Sequence, residues 1–296
     1  MGGNDTAWFR KRTGVKTHGL FLFLLFLLLA SCTATVKMRW PSAASVSGTS
    51  FYDQAAAFQW KQRDSFTRVI VLQGSIPGFL RQFVPVRSQY QDSLGKSYRA
   101  IFYVAPDYLA VGDDHNWARV HITPTLAQEL ADSLQCFLPT RKMVNAIYDA
   151  ATVKLDPIPL TQHRDSTPTF YQHHLAVEQQ RMGRRGLIAG IQKDIVTTGR
   201  LNTFPQKDRV AIYGWHQVNG KPIQPLYTGH VYWYVDYSQG VRLVFNMLKV
   251  NGKWIHYTEV FNHPILKNLL CDEAVCGDGR YPIPLAMAPS HPASTK

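Results

Sequence analysis

The stretch that most constrains the fold of this chain is residues 209–243, which is rich in aromatic and β-branched residues and short of charge. Runs of this composition form strands that turn one face toward a core. Two further apolar runs follow, and Asn251-Gly252 joins them with the dipeptide that tight hairpin turns favour. The sequence therefore predicts that the C-terminal half is mostly an antiparallel sheet.

The pattern before this region is helical. Apolar residues at helical spacing fill residues 51–72. Thr123, Thr140 and Ser166 each stand where a side-chain oxygen can cap the first turn of a helix, and proline follows closely after Thr123 and Ser166. We expect helices to begin at these three positions.

The expected fold class is α+β, with a helix-rich N-terminal half packed on a mostly antiparallel C-terminal sheet. A hairpin of residues 98–104 and 108–111 is expected to add strands to the N-terminal half. Residues 51–280 show no linker that demands a division, so they are predicted to form a single domain. Residues 281–296 are rich in proline, alanine and serine, which predicts a disordered tail.

The first 31 residues have the order of an export signal. A basic region is followed by an unbroken apolar run at residues 20–29. This run is roughly half the length that a membrane-spanning helix needs, which is typical of a secretory signal peptide. We therefore predict that residues 1–31 direct export and are absent from the mature protein.

Directly after the apolar run stands Leu29-Ala30-Ser31-Cys32. It resembles the lipobox of bacterial lipoproteins, in which leucine and two small residues precede a cysteine. The resemblance implies cleavage before Cys32, a lipid on its sulfur, acyl chains such as palmitate, and anchoring to the cell membrane. Residues 32–50 would then be a lipidated tether. Thr33 follows where an aspartate would retain such proteins at the inner membrane, which implies sorting to the outer membrane in enteric-type envelopes.

The chain is basic, with a formal net charge of +12. Such charge steers a protein toward anionic surfaces. There is no dense run of lysine and arginine and no nucleic-acid motif, so nucleic acid is not an expected partner. In the cell envelope we expect an anionic polymer or peptidoglycan instead.

The cysteines are predicted to have separate roles. Cys271 and Cys276 lie close together, and an exported protein meets an oxidising compartment, so we predict a disulfide between them. The sequence contains no HExxH motif, no phosphate-binding loop and no dinucleotide fingerprint. Its histidines show no metal-ligand spacing, and we expect neither a metal nor a cofactor.

Chemistry-bearing side chains are concentrated in the 209–243 stretch, at His216, His230, Asp236, Ser238 and Arg242. Polar groups in an apolar sheet are costly and therefore often functional. If residues 230–237 form a regular strand, His230 and Asp236, six residues apart, project from the same face of it. The carboxylate can then orient the imidazole. The serine would be a nucleophile, and the arginine would bind a substrate carboxylate. Alternatively, these are satisfied sheet residues with the aspartate paired to the arginine.

Residues 237–243, YSQGVRL, resemble the active-site segment SHGCIRL of the L,D-transpeptidases. These enzymes cross-link peptidoglycan or attach lipoproteins to it. The nucleophilic cysteine of that segment is Val241 here, and its histidine is Gln239. The resemblance therefore implies at most a relative that lacks this activity.

A second resemblance is to papain-like peptidoglycan endopeptidases. Cys136 precedes a predicted helix, and His216 or His230 and then Asp236 follow in the family's order. RVAIY at residues 209–213, followed by Asn-Gly-Lys, is similar to the family's hairpin, although an arginine stands at its histidine position. This resemblance implies Cys136 as the nucleophile; the alternative is a small core residue.

The remaining signal is for ligand binding. Trp233 and Tyr234 belong to a series of aromatic residues interleaved with histidine and aspartate, a composition suited to stacking on sugars. Lys193 begins a predicted strand of the same sheet and is expected near the same cleft. Two function classes stay open. One is an envelope hydrolase or transferase acting on peptidoglycan or a related glycan or peptide, and the other is a non-catalytic lipoprotein that binds wall, glycan or a protein partner.

Overall fold

A computed structural model describes Gly2 and residues 34–42, 46–203 and 208–281 of the chain. The chain divides into two compact units, residues 1–34 and residues 35–296. Apart from Gly2, the predicted signal peptide, the lipobox with Cys32 and the tail beyond Tyr281 lie outside the described residues. Within the described part, no helix is both long and apolar enough to cross a bilayer.

The described elements alternate between helix and strand along the chain. The α-helices are α1 (Gly48–Ala55), α2 (Trp60–Leu72), α3 (Pro124–Ser133), α4 (Arg141–Ala150), α5 (Thr167–Arg181) and α6 (Tyr257–Asn262). The strands are β1 (Val36–Lys37), β2 (Gln82–Gln91), β3 (Ser97–Val104), β4 (Ala110–Gly112), β5 (Trp117–Arg119), β6 (Cys136–Phe137), β7 (Val153–Lys154), β8 (Ile188–Ala189), β9 (Lys193–Ile195), β10 (Ile212–His216), β11 (Pro222–Tyr227), β12 (Gln239–Gly240), β13 (Val244–Phe245), β14 (Met247–Val250) and β15 (Lys253–His256).

Local capping explains where the helices begin. Thr123, Thr140 and Ser166 each accept a hydrogen bond from a backbone N–H of the first turn, which confirms the three predicted starts. The predicted helix over residues 51–72 is two helices. Gln59 begins the second one with a reciprocal capping arrangement, so the chain bends between α1 and α2.

The larger sheet has the order β1-β2-β3-β13-β6, with β14 paired to β3 and β15 to β14, and its pairs are antiparallel. A mixed α and β fold with antiparallel sheets is therefore confirmed. The finer division into a helical half and a sheet half is not clearly seen, because β1, β2 and β3 of this sheet come from the N-terminal half.

The hairpin predicted from residues 98–104 and 108–111 is wrong. Strand β3 pairs with β2 along its length, while β4 pairs with β5. The decisive feature is the turn after β2, where the Asp92 carboxylate accepts the backbone N–H groups of Leu94 and Lys96. Gly95 takes the positive φ that this turn requires. The predicted Asn251-Gly252 turn is confirmed, since both residues have positive φ between β14 and β15.

The structure differs from the predicted tether of residues 32–50. Strand β1 pairs with β2, and the buried Trp40 donates its indole N–H to the carbonyl of Leu134 at 2.9 Å. Helix α1 already begins at Gly48. Residues 36–40 are therefore part of the folded unit, because their apolar side chains pack onto it.

The second sheet has the order β11-β10-β9-β12 and positions the candidate site. Strand β9 runs antiparallel to β10 and parallel to β12, so Lys193 lies between Gly214 and Gln239. The predicted strand over residues 230–237 is wrong: these residues form turns, apart from a single bridge between Arg209 and Val231. Alternation along a strand therefore cannot be the reason for any contact between His230 and Asp236.

The core has two main parts. One packs α1, α2 and α3 around the second sheet, and the other lies between the larger sheet, α4 and α6. The predicted disulfide is confirmed, with Cys271 and Cys276 joined at the edge of the second part.

Candidate functional site

The centre of the candidate site is the carboxylate of Asp236, whose side chain is only 2% exposed. Its Oδ1 accepts the backbone N–H of Ser238 at 2.9 Å and the Ser238 hydroxyl at 2.6 Å. The backbone carbonyl of Asp236 accepts the N–H of Gln239 at 3.1 Å. These bonds close a tight turn, so local chain geometry holds the carboxylate in one orientation.

Two cations share the other oxygen of this carboxylate. A guanidinium nitrogen of Arg164 lies 3.0 Å from Oδ2, and the Lys193 ammonium lies 3.6 Å from it. The lysine side chain is only 8% exposed, whereas the arginine is 43% exposed. Burial lowers the pKa of Lys193, an effect that the Asp236 carboxylate opposes and the Arg164 charge reinforces. With both side chains protonated, the cluster has an excess of one positive charge.

His230 belongs to the same electrostatic environment. Its ring lies against Tyr234, tilted by 32° with centroids 4.4 Å apart, and Tyr227 packs against it edge-on at 5.0 Å. Partial burial lowers the pKa of His230, the Asp236 charge opposes this, and Lys193 and Arg164 lower the pKa further. Among the described contacts, no hydrogen bond joins the imidazole to the carboxylate. Asp236 therefore affects His230 electrostatically and does not orient its ring through a hydrogen bond.

Aromatic rings form the walls around the cations. The Lys193 ammonium lies 5.2 Å from the ring centre of Trp215, and the Arg164 guanidinium lies 5.5 Å from that of Tyr237. The Tyr237 hydroxyl is itself fixed, because it accepts the N–H of Leu160 and donates to the carbonyl of that residue. Among the described contacts, the Arg164 side chain donates one hydrogen bond, to Asp236, and it is 43% exposed, so its fork has further N–H donors to offer.

A cleft of about 460 Å³ lies beside this cluster. Trp233 and Tyr234 line it on one side and Trp60 on another, and the chain passes directly from its wall into Asp236. Trp233 is 45% exposed, so part of its side chain is accessible to a ligand. The polar residues of the cleft are Gln59, Arg63, Asp165, Ser166 and Thr167.

Six of the sequence-predicted residues therefore come together: His230, Asp236, Lys193, Trp233, Tyr234 and Ser238. We call the first five of these, with Arg164, the Asp236 cluster. Ser238 is fully buried, and its hydroxyl donates a hydrogen bond to Asp236, so its predicted role as a nucleophile is corrected to that of holding the carboxylate.

Arg242 lies elsewhere, in the core. It donates to the carbonyls of Ala105 and Ile188, and its guanidinium stacks over the Tyr108 ring at 4.0 Å. The Tyr108 hydroxyl donates in turn to Asp194. Because Arg242 is fully buried, the predicted role in binding a substrate carboxylate is corrected to that of a core cation.

His216 and Cys136 are also separate from the cluster. The His216 imidazole bonds to the Asn145 amide oxygen at 3.1 Å and stacks on Tyr148, and burial lowers its pKa to about 4. Cys136 is buried in the larger sheet, where its thiol contacts the carbonyl of Leu134 and burial raises its pKa well above the ordinary value. A thiol held neutral and away from solvent does not act as a nucleophile, so the predicted catalytic Cys136 is corrected to a core residue.

Other buried titratable groups shape the acid stability of the fold. Burial lowers the pKa of His173 and of His174 to about 3. Burial raises the pKa of Asp64 and of Asp194 to about 6. These groups lie in the interior, so their titration couples to unfolding rather than to ligand binding.

Sequence reasoning missed Arg164, Trp215 and Trp60. Arg164 stands in an irregular loop 72 residues before Asp236, and no local pattern links the two. Trp215 belongs to the aromatic stretch that sequence analysis singled out, but only its conformation, with positive φ, turns it toward Lys193. In residues 34–42, 46–203 and 208–281 no group of three His, Cys, Asp or Glu side chains could hold a metal ion.

Comparison of the whole chain with known protein families, with curated proteins and with solved structures finds no match.

Proposed function

We propose that this protein is an exported lipoprotein, anchored by a lipid on Cys32, that binds an acidic glycan or peptide of the cell envelope. Peptidoglycan, which carries carboxylates on its sugars and peptides, is the first ligand to test. The site would be the Asp236 cluster together with the adjoining aromatic cleft.

The observation that carries this proposal is the sharing of one carboxylate by two cations. Asp236 neutralises only one of the two charges, and in the lining of the adjoining cleft Arg63 offsets Asp165. Arg164 and Lys193 therefore leave a field that attracts anions where the chain meets this cleft. Arg164 keeps unused donors in the fork geometry that matches a carboxylate. Trp60 and Trp233 supply faces on which sugar rings can stack.

Sedimentation with purified sacculi tests this function. The mature protein should pellet with sacculi, and Arg164→Gln should reduce the bound fraction several-fold while leaving the fold intact, because Arg164 is exposed and removable. Arg141→Gln is a matched control: Arg141 also pairs with a carboxylate at 3.0 Å, but on another surface. Equal loss in both variants, or no sedimentation of the parent protein, would reject binding at this site.

A hydrolase or transferase is the second candidate function, and His230 favours it. A half-buried imidazole with a lowered pKa is neutral at neutral pH and can accept a proton. With Cys136 and Ser238 both buried, the group that it would activate is a water molecule or a substrate hydroxyl.

Digestion of sacculi separates the two functions. Release of soluble fragments by the parent protein and loss of that release in His230→Ala, with sedimentation retained, would support catalysis. Sedimentation without any release of fragments would leave binding alone.

A further inference from the structure

A second surface, which contains none of the residues of the Asp236 cluster, lies at the end of α5. Residues 179–192 contain three arginines, at 181, 184 and 185, and no acidic residue. Helix α5 ends at Arg181, and the chain then turns through Met182 and Gly183, both with positive φ. We call residues 181–186 the basic loop.

The basic loop exposes an apolar side chain at its tip. Met182 is 76% exposed although it is a large hydrophobic residue. The backbone beneath it is fixed, because Arg184 donates from its side chain to the carbonyls of Arg181 and Gln180, and Arg181 donates back to the carbonyl of Arg184. A rigid turn therefore presents one apolar side chain among cations, a combination suited to the interface of an anionic membrane.

The basic loop and the first described strand line the same groove. This groove, of about 890 Å³, has Thr35 and Lys37 on one side and Gly183, Arg185 and Gly186 on another. Arg81 and Arg181 add further positive charge to its lining. Three acidic side chains also line the groove: Glu178 pairs with both Arg119 and Arg181, Asp107 pairs with Arg119, and Asp114 accepts the backbone N–H of Phe79.

The short stretch of chain between Cys32 and Thr35 would keep this groove close to the membrane. Thr35 is three positions after Cys32, and an extended chain advances at most about 3.5 Å per residue. A lipid on Cys32 would thus hold Thr35 within about 10 Å of the bilayer surface. That distance is close to the screening length of about 8 Å at physiological ionic strength, so cations on this groove feel the charge of the lipid headgroups.

We propose that the basic loop docks on anionic phospholipid headgroups, with Met182 inserted between them and with Arg185 and Lys37 contacting phosphates. Docking would fix the orientation of the folded unit that the lipid alone leaves free to rotate. This inference rests on the proposed lipidation of Cys32, and the partner is the membrane that holds that lipid.

The test uses the lipidated mature chain in vesicles of phosphatidylcholine, with or without phosphatidylglycerol. Met182→Cys carries an environment-sensitive fluorophore. Labelling is selective, because Cys136 is buried, Cys271 and Cys276 form a disulfide, and Cys32 would be acylated. The emission should shift to the blue, and lipid-borne quenchers should reduce it several-fold more with phosphatidylglycerol present than without it.

Two matched controls locate the effect. Leu94→Cys places the same label on a residue that is 91% exposed in the turn after β2, and its emission should not respond to lipid charge. Replacing Arg185 and Lys37 by glutamine should abolish the response of the Met182 label. Replacing Arg87 and Lys249 by glutamine, on the open face of the larger sheet, should preserve it.

Retention of the chain on phosphatidylcholine vesicles measures anchoring by the lipid on Cys32, independently of docking by the basic loop. A chain that stays on these vesicles but shows the same Met182 emission in both lipids has the anchor and lacks the docking, which overturns this inference alone. An equal response of the Leu94 label also overturns it. A chain that leaves phosphatidylcholine vesicles lacks the anchor, and the docking proposal falls with the proposed lipidation.

Discussion

Replacement of Asp236 by asparagine is the sharpest single perturbation of the candidate site. The Ser238 N–H and hydroxyl would keep the amide oxygen, because both are donors. The amide nitrogen would then face Arg164 and Lys193, so a donor would replace the acceptor that these cations share. The buried Lys193 ammonium would lose its only ion pair in the described part of the chain.

The size of the effect follows from exposure. Removing one partner of a fully buried ion pair costs about 3–5 kcal/mol. Exposed ion pairs contribute about 0–1 kcal/mol to stability. The Arg164–Asp236 pair belongs to this class, because the Arg164 side chain is 43% exposed. Lys193 is nearly buried but its ammonium is 3.6 Å from the carboxylate, so we expect Asp236→Asn to lower the free energy of unfolding by about 2–3 kcal/mol.

Urea unfolding followed by tryptophan fluorescence and circular dichroism measures this quantity. Arg141→Gln breaks a surface pair and should cost less than about 1 kcal/mol. Adding Lys193→Met to Asp236→Asn should recover part of the loss, because the uncompensated charge is gone. An unfolding free energy of Asp236→Asn within about 0.5 kcal/mol of the parent protein, or strict additivity of the two substitutions, would refute the reasoning.

Three further predictions concern the fold. Reduction of the Cys271–Cys276 disulfide should lower the free energy of unfolding by about 2 kcal/mol, as expected for a short loop, and mass spectrometry without reductant should find both thiols oxidised. Gly252→Val should cost about 1–2 kcal/mol through backbone strain alone, because φ is +86° and no atom lies within 4 Å of an added Cβ; an unchanged melting temperature would argue against this. Between about pH 4 and pH 6, unfolding frees four buried histidines, His121, His173, His174 and His216, to bind protons while the buried Asp64 and Asp194 release theirs. Stability should therefore fall as the pH falls, by about 2.7 kcal/mol per pH unit for the two net protons, and a urea midpoint that rises toward acid would contradict it.

Local chemistry made part of the fold predictable. The caps at Thr123, Thr140 and Ser166 act through the first turn of their own helix, and Asn251-Gly252 acts within its own turn. Such features depend on neighbours in sequence, so the sequence alone predicts them.

The pairing of β2 with β3 and the loss of the expected strand at residues 230–237 depended on distant contacts. Turns around His230 are held by bridges to residues 208–210, and apolar composition alone cannot distinguish such a turn from a strand. The same limit applies to polar groups: Arg242 and Asp236 share a short stretch, but one stacks inside the core and the other lies at its edge.

The sequence therefore predicts several residues of the candidate site but not all the residues that surround them in the fold. His230, Asp236 and Lys193 were expected to lie close together, and the structure brings them into one cluster. Arg164 supplies the exposed positive charge of the cluster. It lies in a loop whose sequence does not indicate a contact with Asp236.

The most direct test of the binding proposal is calorimetric titration of the mature protein with a soluble peptidoglycan fragment and with the same fragment after amidation of its carboxylates. We expect measurable binding of the acidic fragment and a loss of affinity of at least about tenfold on amidation, which corresponds to about 1.4 kcal/mol. We expect a similar loss in Arg164→Gln but not in Arg141→Gln. Equal affinity for the acidic and the amidated fragment would contradict the binding proposal.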